Sequence, residues 1–189
     1  MITKRIVVTG APGSGKTSVV NRLEKSGFTC LHEIIRDMTL EAQEKGDLAL
    51  SASNPIAAVS DPMLFNQNIL AGRIRQFQKA AEIREPLTFF DRAIPDVLAY
   101  MDFFNQRYED DFITACTTNI YDQVFILPPW KEIYISDNER FESYEEATKL
   151  HEHLSQTYQR FGYDLIEVPF GTIKERMDFI LNSLDAATP

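Results

Sequence analysis

The 189-residue sequence is short of cysteine, of positive charge and of long apolar runs, and each shortage excludes a class of protein. Its two cysteines, Cys30 and Cys116, lie in apolar surroundings without paired spacing. That rules against a disulfide scaffold and reads as buried thiols in a reducing compartment, with cytoplasm the default location. Nineteen lysines and arginines stand against 28 acids, a formal net charge of -9 with a pI near 4.8. Nucleic acid and anionic membranes would be repelled by that average field, so general binding to either is not expected, although a local basic pocket stays open. No run approaches the roughly 18 apolar residues needed to span a bilayer, and the stretch from Ile6 to Val8 is too short for a signal peptide.

Some motifs are missing as well. The Asn-Lys-x-Asp guanine signature is absent, since the Asn-x-x-Asp spacings at Asn119 to Asp122 and Asn182 to Asp185 lack the lysine. No Asp-x-x-Gly switch and no Leu-Ser-Gly-Gly-Gln signature occurs, and there is no internal repeat or low-complexity tract. The length fits one α/β domain over 1–189.

What is present begins with Arg5 to Thr9, a β-branched run ending at glycine, followed by helical spacing from Lys16 to Ser26 through Val19, Val20 and Leu23. Further strands are predicted at Phe28 to Leu31, Leu87 to Phe90, Gln123 to Leu127 and Asp164 to Val168, separated by helical sequence. Strands alternating with helices imply a parallel sheet. Asp61-Pro62 is an N-cap with proline at the first helical position, ahead of a stripe at Leu70, Ile74, Phe77 and Ala81. Ser143-x-x-Glu146 and Thr172-x-x-Glu175 are capping boxes. The first precedes Ala147, Leu150, Leu154, Tyr158 and Phe161, the second Ile173, Met177, Ile180 and Leu184. Gly46 to Ser60 reads as a mobile loop.

Between strand and helix lies GAPGSGKT, which matches G-x-x-x-x-G-K-[ST] in the context that motif requires. Its glycines allow successive amides to turn around phosphate oxygens, Lys16 supplies a point charge, and the helix N-terminus adds partial positive charge. Thr17 offers a hydroxyl to Mg²⁺. The expected nucleotide-binding stretch is Gly10, Ala11, Pro12, Gly13, Ser14, Gly15, Lys16, Thr17 and Ser18, with Ser18 reading first as a helix residue. Without the guanine signature, the expected ligand is Mg-ATP.

The third strand ends in Asp91-Arg92, at the carboxyl edge where open α/β sheets bind ligands. Asp91 is a candidate to hold Mg²⁺ or accept a proton, and Arg92 to grip a phosphate in its planar fork. Capping of the next helix by Asp91 and a surface pair for Arg92 are the competing reading. Glu33 and Arg36 fall within one helical turn after the second strand, where a carboxylate suits the activation or anchoring of an acceptor. An exposed helix-start glutamate remains the alternative for Glu33. A lid around 128–145 follows Leu127-Pro128-Pro129-Trp130, and Arg140 is its candidate arginine. Trp130, the sole tryptophan, either stacks on a ligand or fastens the lid. Arg73 and Arg75 are, with Arg36, candidates to mark the acceptor's side of the cleft, but by default read as surface residues of the long helix, as do His151 and His153, which point apart on a helix. Phe103, Phe104, Tyr108, Phe112, Phe65 and Phe77 read as core. Glu109, Asp110 and Asp111 read as a solvated face or turn.

Together, GAPGSGKT, Asp91-Arg92 with Pro95 to Tyr100, Tyr121 to Phe125, Leu127 to Trp130 and Glu139-Arg140 resemble a small AAA-type P-loop family. That family is related to the kinase domain of NadR-type nicotinamide-riboside kinases. The resemblance spans most of the chain and implies a three-layer, kinase-like P-loop fold with five parallel strands in the order 2-3-1-4-5. It also implies binding of ATP or another triphosphate. Lys16, Glu33, Asp91, Arg92 and Arg140 are then the catalytic candidates, Glu33, Arg36 and Arg92 the acceptor-binding ones, and Thr17 and Asp91 the metal ligands. Three functions remain open at this point. They are a phosphotransferase with a nucleoside-like, nucleotide or sugar-phosphate acceptor, an ATPase, and a nucleotide-dependent regulatory module.

Overall fold

The computed structural model describes residues 3–35, 61–134 and 143–186. Five parallel strands form one sheet: β1 (Lys4–Gly10), β2 (Thr29–Leu31), β3 (Leu87–Asp91), β4 (Gln123–Leu127) and β5 (Leu165–Glu167), in the spatial order β2-β3-β1-β4-β5. This is the order anticipated from the resemblance. β1 is central because Ile6, Val7 and Val8 are all fully buried, which a strand covered on both faces requires.

Side chains alternate along the strands and so divide the core in two. Val7, Phe90, Val124 and Ile126 face one way. They pack under helices α2 (Pro62–Lys79), α3 (Ile94–Phe103), α4 (Asp110–Thr118) and α5 (Tyr144–Arg160). Ile6, Val8, Phe89, Phe125 and Leu127 face the other way, beneath α1 (Lys16–Lys25) and α6 (Ile173–Ala186). Burial of each large apolar side chain in these layers contributes about 1.5–3 kcal/mol.

Local signals set the helix ends. Asp61 accepts from the Leu64 amide at 3.0 Å, with Pro62 at the first position. In α5 the Ser143 hydroxyl accepts from the Glu146 amide at 3.1 Å, and the Glu146 carboxylate accepts from the Ser143 amide at 2.6 Å. Thr172 and Glu175 form the corresponding exchange ahead of α6.

Several side chains depart from the sequence expectation. Ala80 is buried and Ala81 exposed, because α2 tightens into a 3-10 turn at Ala80–Glu82 and rotates the stripe by a residue. Ile173 is exposed, being the first residue of α6 and above the core. Phe104 lies past the end of α3 and is exposed, so it and Phe112 belong to different elements rather than one helical cluster. His151 and His153 are half-buried rather than solvated, and the His153 ring meets Phe103 edge-on at 5.7 Å. Glu109 is the N-cap of α4 and Asp110 and Asp111 lie in its first turn, a favourable place for acids. The expectations for Arg36, Gly46 to Ser60 and Arg140 lie outside the described residues.

Candidate functional site

Register brings the site together. β1 pairs with β3 so that Val8 stands opposite Asp91, and with β4 so that Gly10 stands opposite Leu127. β2 pairs Leu31 with Phe90, so His32 and Glu33 leave the same carboxyl edge beside Asp91.

The loop from Gly10 to Thr17 turns directly off the central strand into α1. Gly15, at φ 78°, is the left-handed N-cap of that helix. Gly10 must be glycine for space as well, since a Cβ there would lie 2.5 Å from the Leu127 carbonyl oxygen. The beginning of the expected lid rests on this loop: the Tyr134 ring covers Gly13, and Ile133 would meet a Cβ on Gly15 at 3.2 Å. Lys16 is only 7% exposed, and its Nζ forms an ion pair with Asp91, itself 1% exposed.

Beside this pair lies a buried network that the sequence showed only in part. Glu33 bridges two arginines: Oε1 accepts from Arg73 Nη2 at 2.6 Å, and Oε2 pairs with Arg92 Nε at 2.6 Å. Glu33 is thus not a free helix-start glutamate. Arg92 is neither a surface pair nor ordinary in its backbone, being 9% exposed with φ 69°. Its Nη1 donates to Asp96 Oδ1 at 3.2 Å. Asp96 also accepts from Thr9 Oγ1 at 2.6 Å, from the Ala93 amide at 2.9 Å and from Tyr158 OH at 2.5 Å. Asp96, rather than Asp91, therefore secures the start of α3.

Burial opposes ionisation of Asp96. Arg92 and Arg73, with the Thr9 and Tyr158 hydroxyls, outweigh it and hold the carboxyl below its usual range. Burial likewise opposes the charge on Arg92, but Tyr100, Glu33, Asp96 and Asp91 raise its pKa well above the ordinary value. Arg73, expected at the surface, is 2% exposed and belongs to this cluster, whereas Arg75 is exposed. Its position four residues after Ile69 and three after Leu70 places it on the buried stripe of α2.

On the other side of β1, Trp130 follows β4 and packs against Phe170 with ring centroids 5.2 Å apart. Arg176 of α6 lies 5.9 Å from the Trp130 ring and donates from Nη2 to the Ser14 carbonyl of the phosphate loop at 2.7 Å. Lys16, Arg73 and Arg92 pair with Glu33, Asp91 and Asp96, and Arg176 on the other side of the loop adds a fourth cation, a locally basic site in an acidic chain.

A hydroxyl at Thr17 and a carboxylate at Asp91 are hard oxygen donors. Oxygen donors of this kind fit Mg²⁺, which keeps most of its water shell and takes few protein ligands.

A glycine-rich loop and lysine at the end of the central strand, in a sheet of this order, define a kinase-like P-loop fold. A family model described as an AAA domain matches residues 5–176, and the chain belongs to that family. Among solved structures it is similar to NadR in complex with NR, with a TM-score of 0.73 at 19% identity over 99% of this chain and 52% of that one. The chain thus spans about half the length of NadR. It is also similar to the deoxyadenosine kinase from M. mycoides with products dCMP and a flexible dCDP bound: TM-score 0.65, 18% identity, 96% of this chain and 99% of that one. The thymidylate kinase from Candida albicans matches with a TM-score of 0.68 at 14% identity, over 97% of this chain and 92% of that one. At these identities the likeness establishes the fold. No curated protein matches in sequence.

Proposed function

We propose that the chain is a P-loop phosphotransferase that passes the γ-phosphoryl group of Mg-ATP to a hydroxyl or phosphate of a small nucleoside-like, nucleotide or sugar-phosphate acceptor. The observation that carries this is the placement of Glu33, oriented by Arg73 and Arg92, on the same sheet edge as Lys16 and Asp91. A triphosphate-hydrolysing site needs only to position water. Two buried arginines holding one carboxylate make a rigid group suited to a defined acceptor. The neighbours, whose names describe a nucleoside kinase, a nucleotide kinase and an NR complex, point the same way.

In this reading the amides of Gly10 to Thr17 and the Lys16 ammonium hold the β- and γ-phosphates, drawing Lys16 from Asp91 toward the phosphate oxygens. Mg²⁺, held by Thr17 and Asp91, would neutralise charge on those oxygens. Glu33 orients an acceptor hydroxyl and takes its proton as the new O–Pγ bond forms and the bond from Pγ to the bridging oxygen breaks, releasing ADP. For a phosphate acceptor, whose attacking oxygen already carries negative charge, Glu33 acts as an anchor. Arg92 stabilises the charge on the group in transit, a role we propose also for Arg140. The whole forms one domain over 1–189, working in the cytoplasm.

Multiple turnover of labelled ATP with a panel of nucleosides, nucleotides and sugar phosphates tests the proposal. Transfer of label to one acceptor class is expected. Release of free phosphate alone would replace the proposal with an ATPase, and tight binding without turnover would replace it with a regulatory module.

A further inference from the structure

Asp96 is the acid of an otherwise apolar first turn of α3, 1% exposed, and its two oxygens take four donors. Capping the helix uses only one of them, the Ala93 amide on Oδ2 at 2.9 Å. The others are the Tyr158 hydroxyl on the same oxygen, and Thr9 Oγ1 and Arg92 Nη1 together on Oδ1 at 2.6 and 3.2 Å. A cap alone leaves these three unexplained, and burying a carboxylate is costly where a serine would cap as well.

Arg92 is shaped by this grip. Its backbone stands at φ 69°, a conformation that non-glycine residues keep only where surrounding contacts impose it. The Arg92 amide donates to the Val8 carbonyl at 3.0 Å, and its guanidinium lies 5.1 Å from the Tyr100 ring, one turn beyond Asp96 on α3. Asp96 at one edge and Tyr100 under the face form a seat, from which Nε reaches Glu33 Oε2 at 2.6 Å. The two carboxylates differ in burial, the Glu33 side chain being 20% exposed and that of Asp96 2%. The arginine bridge therefore has a fixed inner end and an open outer one.

Thr9 gives the inner end its reference point. It is the residue before Gly10, so one oxygen of Asp96 holds both the root of the phosphate loop and the arginine.

We propose that Asp96 is a positioning residue for phosphoryl transfer: it fixes Arg92, and through Arg92 the Glu33 carboxylate, at a set distance from the phosphate loop. This rests on the reading of Glu33 and Arg92 as the acceptor-side groups of a phosphotransferase. Asp96 itself is closed off and acts through Arg92. Misplacing a reacting group by about 1 Å costs about 10²-fold in rate, so loss of Asp96 falls on kcat rather than on binding.

The full chain is assayed for transfer of label from Mg-ATP to whichever nucleoside, nucleotide or sugar phosphate of the panel turns over fastest, with circular dichroism checking that each variant is folded at the assay temperature. Asp96→Asn is expected to lower kcat about 10²-fold, with the acceptor KM and the calorimetric Mg-ATP affinity each changed less than about threefold. In an Arg92→Gln background the same substitution is expected to lower kcat less than about threefold further, since the group it positions is gone. An Asp96 that only supports the fold would lower Tm and leave kcat of the folded protein intact. Where Asp96→Asn does not fold, Tyr158→Phe takes its place, keeping the charge and removing one donor. It is expected to lower kcat about 3- to 10-fold, the scale of one hydrogen bond, and only while Arg92 is present. Unchanged kcat, or losses that multiply in the Arg92→Gln background, overturn the positioning role while the phosphotransferase stands. A wild type that transfers label to no acceptor overturns both.

Discussion

Lys16 and Asp91 form a buried ion pair across 75 residues of sequence, joining the phosphate loop to the end of β3. The lysine is thereby held at the sheet edge with its charge compensated, and the triphosphate must offer a better partner than Asp91 to draw it away. Wild type saturated with Mg-ATP at about 100 times its Kd should gain about 2.7 kcal/mol of stability, a rise in Tm of about 5–10 °C. Lys16→Ala should show almost none of that rise. An equal rise in both proteins by scanning calorimetry would remove the loop from nucleotide binding.

Glu33→Gln keeps the shape of the carboxylate but cannot take a proton, and it weakens both arginine contacts. For a hydroxyl acceptor, transfer should fall by about 10²- to 10⁴-fold, with ATP affinity changed far less. Unaltered kcat would leave Glu33 as an anchor for Arg73 and Arg92 and nothing more.

Asp96 gathers Thr9, Arg92, Ala93 and Tyr158 around one buried carboxylate. Asp96→Asn leaves the Arg92 charge short of a partner and should cost about 3–5 kcal/mol, whereas Tyr158→Phe should cost about 1–3 kcal/mol. Denaturant midpoints compare the two. The Asp96 pKa is lowered in the folded chain from a usual 3.8. Its stabilising contribution is therefore complete above about pH 3.9 and lost as pH falls through the folded value. Asn at 96 that proved as stable as Asp would refute this account of the cluster.

His151 behaves differently. Burial lowers its pKa from the usual 6.5 despite Glu167 and Glu152, and Nδ1 is buried without a partner. The unfolded chain binds this proton more tightly, so the stability contributed by the neutral ring is full above about pH 6.5 and declines as pH falls toward the folded value. Urea midpoints between pH 8 and 5 should slope downward on the acid side in the wild type and flatten there in His151→Gln. Parallel curves would show that the ring titrates alike in both states.

β1, β4 and β5 were legible because apolar runs ended at Gly10, Pro128 and Pro169, and the helix starts because Asp61, Ser143 and Thr172 announce themselves through local hydrogen bonds. Asp91 and Arg92 could be placed from the edge of a strand. Arg73 was obscured because a charged residue on an amphipathic helix is ordinarily solvated, although its spacing from Ile69 and Leu70 put it on the buried face. Asp96 carried a similar sign, a single acid in the apolar run from Ala93 to Ala99. Arg176 had a weaker one, four residues ahead of buried Ile180. Its partner in the phosphate loop lies 162 positions away, a distance no local pattern bridges.

The tie from Arg176 to the Ser14 carbonyl makes the last helix a working part of the first loop. A fragment ending before Ile173 would keep every residue of GAPGSGKT while losing the guanidinium that holds its Ser14 carbonyl. Sequence scanning would score such a fragment as intact at the loop, yet it would present a loosened cradle with Trp130 deprived of its cationic neighbour.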